Sequence, residues 1–158
     1  MKKLKRQTVK IIIFALMMLL NCSTFYVEAQ NTTVDYNRLI TAIGTVESGL
    51  NDNARSGVHA GFLQISKVCV TECNRINKLK NVSTRYTLQD RFNHQKSIEI
   101  FWIIQNFYNP KGDLKDDDRI ERMIRLWNGG PGWVKNPRKT DGYYKKVIKV
   151  YNDLKNKG

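Results

Sequence analysis

The chain has 158 residues, a mass of 18.4 kDa and a formal net charge of +13, from 27 basic and 14 acidic side chains. Its length is that of one domain and its hydrophobic content of 41% is near the globular average, which excludes a large multidomain enzyme and a disordered chain. The excess of positive charge favours acidic partners, and the compartment decides which ones.

The first 29 residues have the pattern of a secretory signal peptide. Basic residues are dense up to Lys10, an uncharged apolar stretch follows over 11–20, and Val27-Glu28-Ala29 precedes a cleavage point. The apolar stretch is too short to cross a bilayer; a lipid anchor at Cys22 and a retained membrane anchor are the alternatives. We therefore expect export to the periplasm or cell envelope, a mature domain over 30–158, and partners other than nucleic acid.

The first predicted helix begins at Asp35, a good N-cap residue, and carries a glutamate on its apolar stripe. Tyr36, Ile40 and Ile43 recur at helical spacing, and the next position of the same stripe is Glu47. A carboxyl group turned inward has a raised pKa and can act as a general acid in glycoside cleavage. The alternative is a helix-end glutamate turned to solvent, which the pattern alone favours.

The rest of the chain is predicted to contain four more helices and one glycine-rich lobe. Residues 48–64 lose helical periodicity and are predicted to form a loop or small hairpin. The further helices are predicted over about 66–79, 93–108, 118–127 and 141–154. Asp118 with Glu121 resembles a capping box, and Thr140 is expected to cap the last helix. The predicted fold class is mainly α, with five or more helices and a small lobe.

Two cysteines follow the signal segment, Cys69 and Cys73, in a C-x3-C spacing. An oxidising compartment permits a disulfide between them, and two free, partly buried thiols are the alternative. His59 and His94 show no ligand spacing around this pair, and the acidic stretch 113–118 lacks the glycine of a calcium loop. We therefore predict no metal and no cofactor.

A second carboxylate for hydrolysis is not evident in the sequence. Hydrolysis by two carboxylates needs a partner about 5–9.5 Å from the acid. Asp52 lies between two asparagines, which is typical of a turn. With Glu47 alone, a displacement completed by a group on the substrate itself fits better than attack by water.

Four segments carry a motif pattern in a fixed order: 42–51 (AIGTVESGLN), Gly61–Ile65 as G-x-x-Q-[IV], 127–132 (WNGGPG) and 143–147 (YYKKV). Together they resemble the lytic transglycosylases of the soluble-type, lysozyme-like superfamily, whose later motifs are Y-N-A-G-P-G and Y-V-x-x-V. The resemblance covers about residues 36–154. Three positions differ from the family's motifs: Trp127 replaces the usual Tyr, Gly129 replaces the usual Ala, and Leu63 replaces a frequent Met.

The resemblance implies a lysozyme-like α+β fold with a cleft for a peptidoglycan strand. It implies that Glu47 is first the acid on the β-1,4 bond between N-acetylmuramic acid and N-acetylglucosamine. The same residue is then the base that helps the muramoyl 6-hydroxyl close a 1,6-anhydro ring. The implied substrate-binding residues are Ser56, Gln64, Trp127, Asn128 and Tyr143. Of these, Tyr143 is expected to place its hydroxyl near Glu47 and orient it.

Other functions stay open at this point. One is a hydrolytic lysozyme that uses Glu47 and water, with Asp52 as the candidate second carboxylate. Another is an inactive glycan-binding subunit of an envelope-spanning machine, although a binder has no need of the acid. The leading expectation is a monomer that opens the wall locally, for a secretion or conjugation apparatus.

Overall fold

The computed structural model describes residues 34–109 and 115–157, in which five α-helices accompany a small antiparallel sheet. The predicted mainly α fold with a small glycine-rich lobe is confirmed. The predicted signal peptide, Cys22 and most of the acidic stretch before Lys115 lie outside the described residues. Within the described ranges, none of the helices has the length and apolar content needed to cross a membrane.

The helices are α1 (Tyr36–Ser48), α2 (Lys67–Leu79), α3 (His94–Tyr108), α4 (Asp116–Gly129) and α5 (Asp141–Lys157). The first three begin at side-chain caps. Asp35, Ser66 and Asn93 each accept a hydrogen bond from the backbone N–H three residues further on. The predicted cap at Asp35 is confirmed, and the predicted bounds of α2 and α3 hold to within a residue.

The predicted start of α4 was wrong by two residues. The helix begins at Asp116, and Lys115 before it makes no side-chain capping bond. Three aspartates, Asp116–Asp118, fill the first turn instead. Their negative charges lie at the positive end of the helix dipole, beside N–H groups that have no partner in the helix. The negative charge of the three aspartates, rather than a capping box at Asp118, therefore stabilises the first turn of α4.

Thr140 lies directly before α5, as predicted, but its hydroxyl does not act as the expected cap. It donates to a carbonyl in the preceding turn and accepts a bond from the guanidinium of Arg125, both at 2.7 Å. Arg125 is buried and also pairs with Asp141 and Glu121 at 2.7 Å. The guanidinium therefore joins α4 to the start of α5 and fixes where the first turn of α5 lies.

The glycine-rich segment forms three two-residue strands: β1 (Arg55–Ser56), β2 (His59–Ala60) and β3 (Ile65–Ser66). Both pairings are antiparallel, with Ala60 opposite Arg55 on one side and Ile65 on the other. The predicted small hairpin is thus confirmed and carries one further strand. Arg91 holds the sheet together, because its Nη1 donates to the carbonyls of Val58 and Ile65.

The core lies where the helices meet the inner side of the sheet. α1 packs against α5, α2 against α3, and α4 against both α3 and α5. Gly44 allows α1 to approach the sheet closely, since a Cβ there would lie 2.7 Å from the ring of Phe62. The largest fully buried side chains include Leu39, Ile43, Phe62, Leu63, Ile100, Phe101 and Ile124. The end of α1 is thereby held against the lobe.

Candidate functional site

A cavity of about 580 Å³ opens between the sheet, α2 and the ends of α3 and α4. Five of the six predicted site residues line it: Glu47, Ser56, Gln64, Trp127 and Asn128. The sixth, Tyr143, reaches the same place from α5, where its hydroxyl donates to Glu47 Oε1 at 2.6 Å. Residues that are far apart in the sequence thus meet around one carboxyl group. The volume is that of an ordinary small-molecule site.

Glu47 lies in the last turn of α1, which ends because Gly49 adopts a left-handed conformation with φ 65°. Burial raises the pKa of the Glu47 carboxyl. The hydrogen bond from Tyr143 and the charge of His59 act in the opposite direction, but burial has the larger effect. The protonated form of Glu47 therefore persists to higher pH than that of an exposed glutamate.

Ser48 connects the end of α1 to the lobe. Its hydroxyl donates to the carbonyl of Phe62 at 2.9 Å and accepts from the N–H of Asn51 at 3.1 Å. Phe62 is completely buried, so water cannot easily replace the hydroxyl as a donor to that residue. The position of the Glu47 backbone relative to the sheet therefore depends on the neighbouring serine.

We expect Ser48→Ala to lower the free energy of unfolding by about 1–2 kcal/mol, because the variant removes a hydrogen bond to a buried carbonyl. Urea unfolding measures this change. Ser83→Ala is the matched control, since Ser83 is exposed and makes no hydrogen bond within the described ranges. Equal midpoints for the two variants would contradict the role assigned to Ser48.

Gln64 is held by its own turn. It adopts a left-handed conformation with φ 49°, and its side-chain Nε2 donates to the carbonyl of Gly61 at 2.8 Å. A non-glycine residue in this conformation is uncommon and costs of the order of 1 kcal/mol. The turn therefore holds a polar amide in one place at the cavity wall.

The three tryptophans have different surroundings. Trp127 lines the cavity while its ring centroid lies 4.9 Å from that of Phe101, so it belongs to both the cavity and the core boundary. Trp102 is half-buried and packs edge-to-face against Tyr36 and Phe101 at the edge of the core. Trp133 lies beside Arg125 and is not among the residues that line the larger cavity.

A second carboxylate, Glu72 of α2, also lines the cavity. Both of its oxygens accept hydrogen bonds from Arg75, at 2.6 and 2.7 Å, and the hydroxyl of Tyr108 donates a further bond to Oε1. The Arg75 bonds in particular hold the pKa of Glu72 below its usual range. The sequence signal for this group was only a Glu–Arg pair at helical spacing, which is common on exposed helix faces.

Asp52, the carboxylate considered from the sequence, is not among the residues that line the cavity. Its Oδ1 lies 2.9 Å from Nδ1 of His94, whose ring stacks on Phe62 with a centroid separation of 3.9 Å. This arrangement supports the lobe from the side of α3.

Cys69 and Cys73 are free thiols, one at the cavity wall and one fully buried. Burial raises the pKa of each thiol to about 12. Thiolates are therefore scarce at neutral pH, which disfavours nucleophilic catalysis by either group. In the part of the chain that the structure describes, no cluster of three or more His, Cys, Asp or Glu could hold a metal ion.

Comparison of the chain with family models, curated proteins and solved structures gives no match. Function is therefore inferred from the geometry of the site. A carboxyl group that stays protonated to a raised pH faces an open cavity beside an indole, two amides and a hydroxyl. Such a group can donate its proton to the leaving oxygen of a bound glycoside.

Proposed function

We propose that this protein is a peptidoglycan lytic transglycosylase, which cleaves the bond between N-acetylmuramic acid and N-acetylglucosamine without consuming water. The observation that carries the proposal is the Tyr143–Glu47 hydrogen bond of 2.6 Å at the wall of a cavity that also contains Ser56, Gln64 and Asn128. Glu47, Gln64, Asn128 and Tyr143 belong to the segments on which the family resemblance rests, and Ser56 lies between the first two of those segments.

In the proposed reaction Glu47 transfers its proton to the glycosidic oxygen, and the N-acetylglucosamine side leaves as an alcohol. The bond between C1 of the muramoyl residue and that oxygen breaks, and positive charge develops at C1. The muramoyl 6-hydroxyl then forms a bond to C1 and gives its proton to the Glu47 carboxylate. The proton returns to its starting place, so the enzyme is regenerated and the product carries a 1,6-anhydro ring.

Tyr143 is a positioning residue in this scheme. Its hydroxyl donates to Oε1 of Glu47, which fixes the carboxyl and stabilises the carboxylate formed after the first proton transfer. The indole of Trp127 offers an apolar face on which a sugar ring can stack, and the amides of Gln64 and Asn128 offer donors for its acetamido and hydroxyl groups.

The hydrolytic alternative gains one supporting observation, the presence of Glu72 at the same cavity. An ionised carboxylate there could in principle activate water in an inverting reaction. Both oxygens of Glu72 are, however, already engaged by Arg75 and Tyr108. A carboxylate so neutralised is a weak base, which favours the transglycosylase over the lysozyme.

We expect Tyr143→Phe to reduce the rate of glycan cleavage by about 10–100-fold and to move the alkaline limb of the pH–rate profile upward. The hydrogen bond from Tyr143 lowers the pKa of Glu47, so its loss lets that pKa rise further. Glu47 then stays protonated to higher pH. Release of soluble fragments measured from pH 4 to 9 gives both quantities. An unchanged limb would mean that Tyr143 does not act on the carboxyl.

The proposed activity is tested by treating purified peptidoglycan sacculi with the protein and measuring the masses of the soluble fragments. We expect fragments that end in 1,6-anhydromuramic acid, each one water lighter than the corresponding hydrolysis product. Release of fragments with free reducing ends would favour the lysozyme. Binding to sacculi without release would favour a glycan-binding subunit.

Export to the periplasm or cell envelope, action as a monomer and service to a secretion or conjugation apparatus belong to the same proposal. The signal-like pattern of residues 1–29 supports export, and the positive charge of the chain suits an acidic wall polymer.

A further inference from the structure

A second, smaller cavity of about 260 Å³ lies against the sheet. Three permanently charged side chains line it, Arg55, Lys67 and Arg91, together with His59. The other lining residues are Gly57, Val58, Ala60 and Leu88, so the walls contain no carboxylate. The cavity is open to solvent, and a cluster of like charges around it raises the local positive potential and attracts anions.

Arg91, one of the lining residues, is fixed by backbone carbonyls. Its Nε donates to Leu88 and its Nη1 to Val58 and Ile65. These partners carry no net charge, so the charge of the guanidinium is not neutralised by them. The neighbouring Asp90 accepts bonds from Thr87 and is not part of the wall.

Arg55 and Lys67 are exposed at the sides of the cavity and are free to contact a ligand. The Arg55 guanidinium lies 4.2 Å from the centre of the Phe92 ring, which holds it in place without cancelling its charge. Lys67 is the first residue of α2. Within the described ranges, neither side chain forms an ion pair.

The two cavities adjoin each other across the sheet. His59 of β2 lines both of them, Ser56 and Ser66 line the larger one, and their sequence neighbours Arg55 and Lys67 line the smaller one. Successive side chains of a strand point to opposite faces, which explains the division at β1. His59 is the side chain shared by the two cavities, so an acidic branch that passes His59 would connect a polymer at Glu47 with the smaller cavity.

We propose that the smaller cavity is a carboxylate-binding subsite, which holds the acidic peptide side chain of the glycan strand that lies at Glu47. The inference rests on the proposed function, since it takes the strand to be peptidoglycan. It deepens that function by specifying the substrate as peptide-bearing rather than naked glycan. Arg55 offers a planar pair of donors suited to a carboxylate, and Lys67 adds a point charge.

Binding of glycan strands to Glu47→Gln protein tests this proposal without any need for cleavage. Strands with intact peptides are compared with strands stripped of them by an amidase, at one fixed salt concentration. We expect tighter binding of the peptide-bearing strands, and we expect Arg55→Gln/Lys67→Gln to reduce that preference by about tenfold, the effect of losing two charged contacts. The matched control is Lys145→Gln/Lys149→Gln, which removes the same charge from exposed positions of α5 outside both cavities.

The preference should survive in the control variant if the subsite is specific. An equal loss in both double variants would show a general charge effect and overturn the proposal. So would a wild-type protein that binds both kinds of strand equally, or inorganic phosphate that displaces the strands while a free acidic peptide does not. Failure of the proposed reaction would instead appear as no cleavage by the unmutated protein, with the binding preference still measurable.

Discussion

Glu47→Gln is expected to reduce the rate of fragment release from sacculi by about 10³–10⁴-fold, the upper range for loss of a general acid and base. Glutamine is nearly the same shape and can still accept the hydrogen bond from Tyr143, but it has no proton to give to the leaving oxygen. The loss should therefore appear in kcat, with binding of glycan strands retained.

Asp52→Asn is the matched control for this experiment. Asp52 lies close to Glu47 in the sequence, yet its carboxylate pairs with His94 outside the lining of the larger cavity. We expect the activity of Asp52→Asn to stay within about threefold of that of the unmutated protein, because the substitution lies away from the reacting groups. A large loss of activity in Asp52→Asn, with only a small loss in Glu47→Gln, would show that Glu47 is not the general acid.

The same Glu47→Gln variant should be slightly more stable than the unmutated protein at pH 7. Burial raises the pKa of Glu47, so its ionised form costs folding free energy at every pH above that raised value. The cost vanishes below about pH 4, where the carboxyl is protonated in both folded and unfolded chains. We therefore expect a Tm about 2 °C higher for the variant at pH 7 and no difference at pH 4.

Gly61→Ala should produce the largest loss of stability, about 3–5 kcal/mol, or a fall in Tm of roughly 10–15 °C. Gly61 adopts φ +78°, and a Cβ there would lie 1.7 Å from the carbonyl oxygen of Arg91. The Arg91 oxygen accepts a hydrogen bond from the hydroxyl of Ser97 at 3.0 Å. On the other side, the N–H of Gly61 donates a hydrogen bond to the carbonyl of Ala54 at 2.9 Å. The segments that contain Gly61 and Arg91 therefore cannot separate without breaking these hydrogen bonds.

Gly57→Ala separates the steric effect at Gly61 from the cost of a left-handed conformation. Gly57 also has a positive φ, of +57°, but a Cβ there would have no neighbour within 4 Å. Its substitution should cost only about 1–2 kcal/mol. Unfolding of the two variants at the same temperature in a thermal scan would contradict the steric conflict between Gly61 and the segment before α3.

Local patterns predicted the parts of the fold that depend on near neighbours. The stripe through Tyr36, Ile40 and Ile43 indicated α1, because helical periodicity is a property of one segment. It also placed Glu47 next on the same stripe, although the pattern alone favoured a side chain turned to solvent. Asp35 caps α1 as its residue type predicted, and the predicted helix start near Ser66 is also found, with Ser66 as the cap. Loss of periodicity after Ser48 indicated the lobe, although short strands of two residues carry too little pattern to fix their register.

Long-range contacts determined the rest, and no single segment encodes them. Thr140 was expected to cap α5, but the buried guanidinium of Arg125 takes its hydroxyl, and only the packing of α4 on α5 brings the two together. Glu72 and His59 line the larger cavity because α2 and β2 converge there. In the sequence each resembles an ordinary surface residue. The placement of Tyr143 beside Glu47 was expected from family resemblance, and periodicity alone would not have indicated it.

The most direct test of the central claim is cleavage of purified peptidoglycan in water enriched in ¹⁸O, followed by borohydride reduction and mass spectrometry of the new glycan ends. An intramolecular displacement by the 6-hydroxyl takes no oxygen from the solvent and leaves no reducible end. We therefore predict fragments without ¹⁸O at the muramoyl terminus, unchanged in mass by borohydride and absent with Glu47→Gln. Muramoyl ends that carry ¹⁸O and take up two hydrogens on reduction would show that water attacks C1 and would contradict the account.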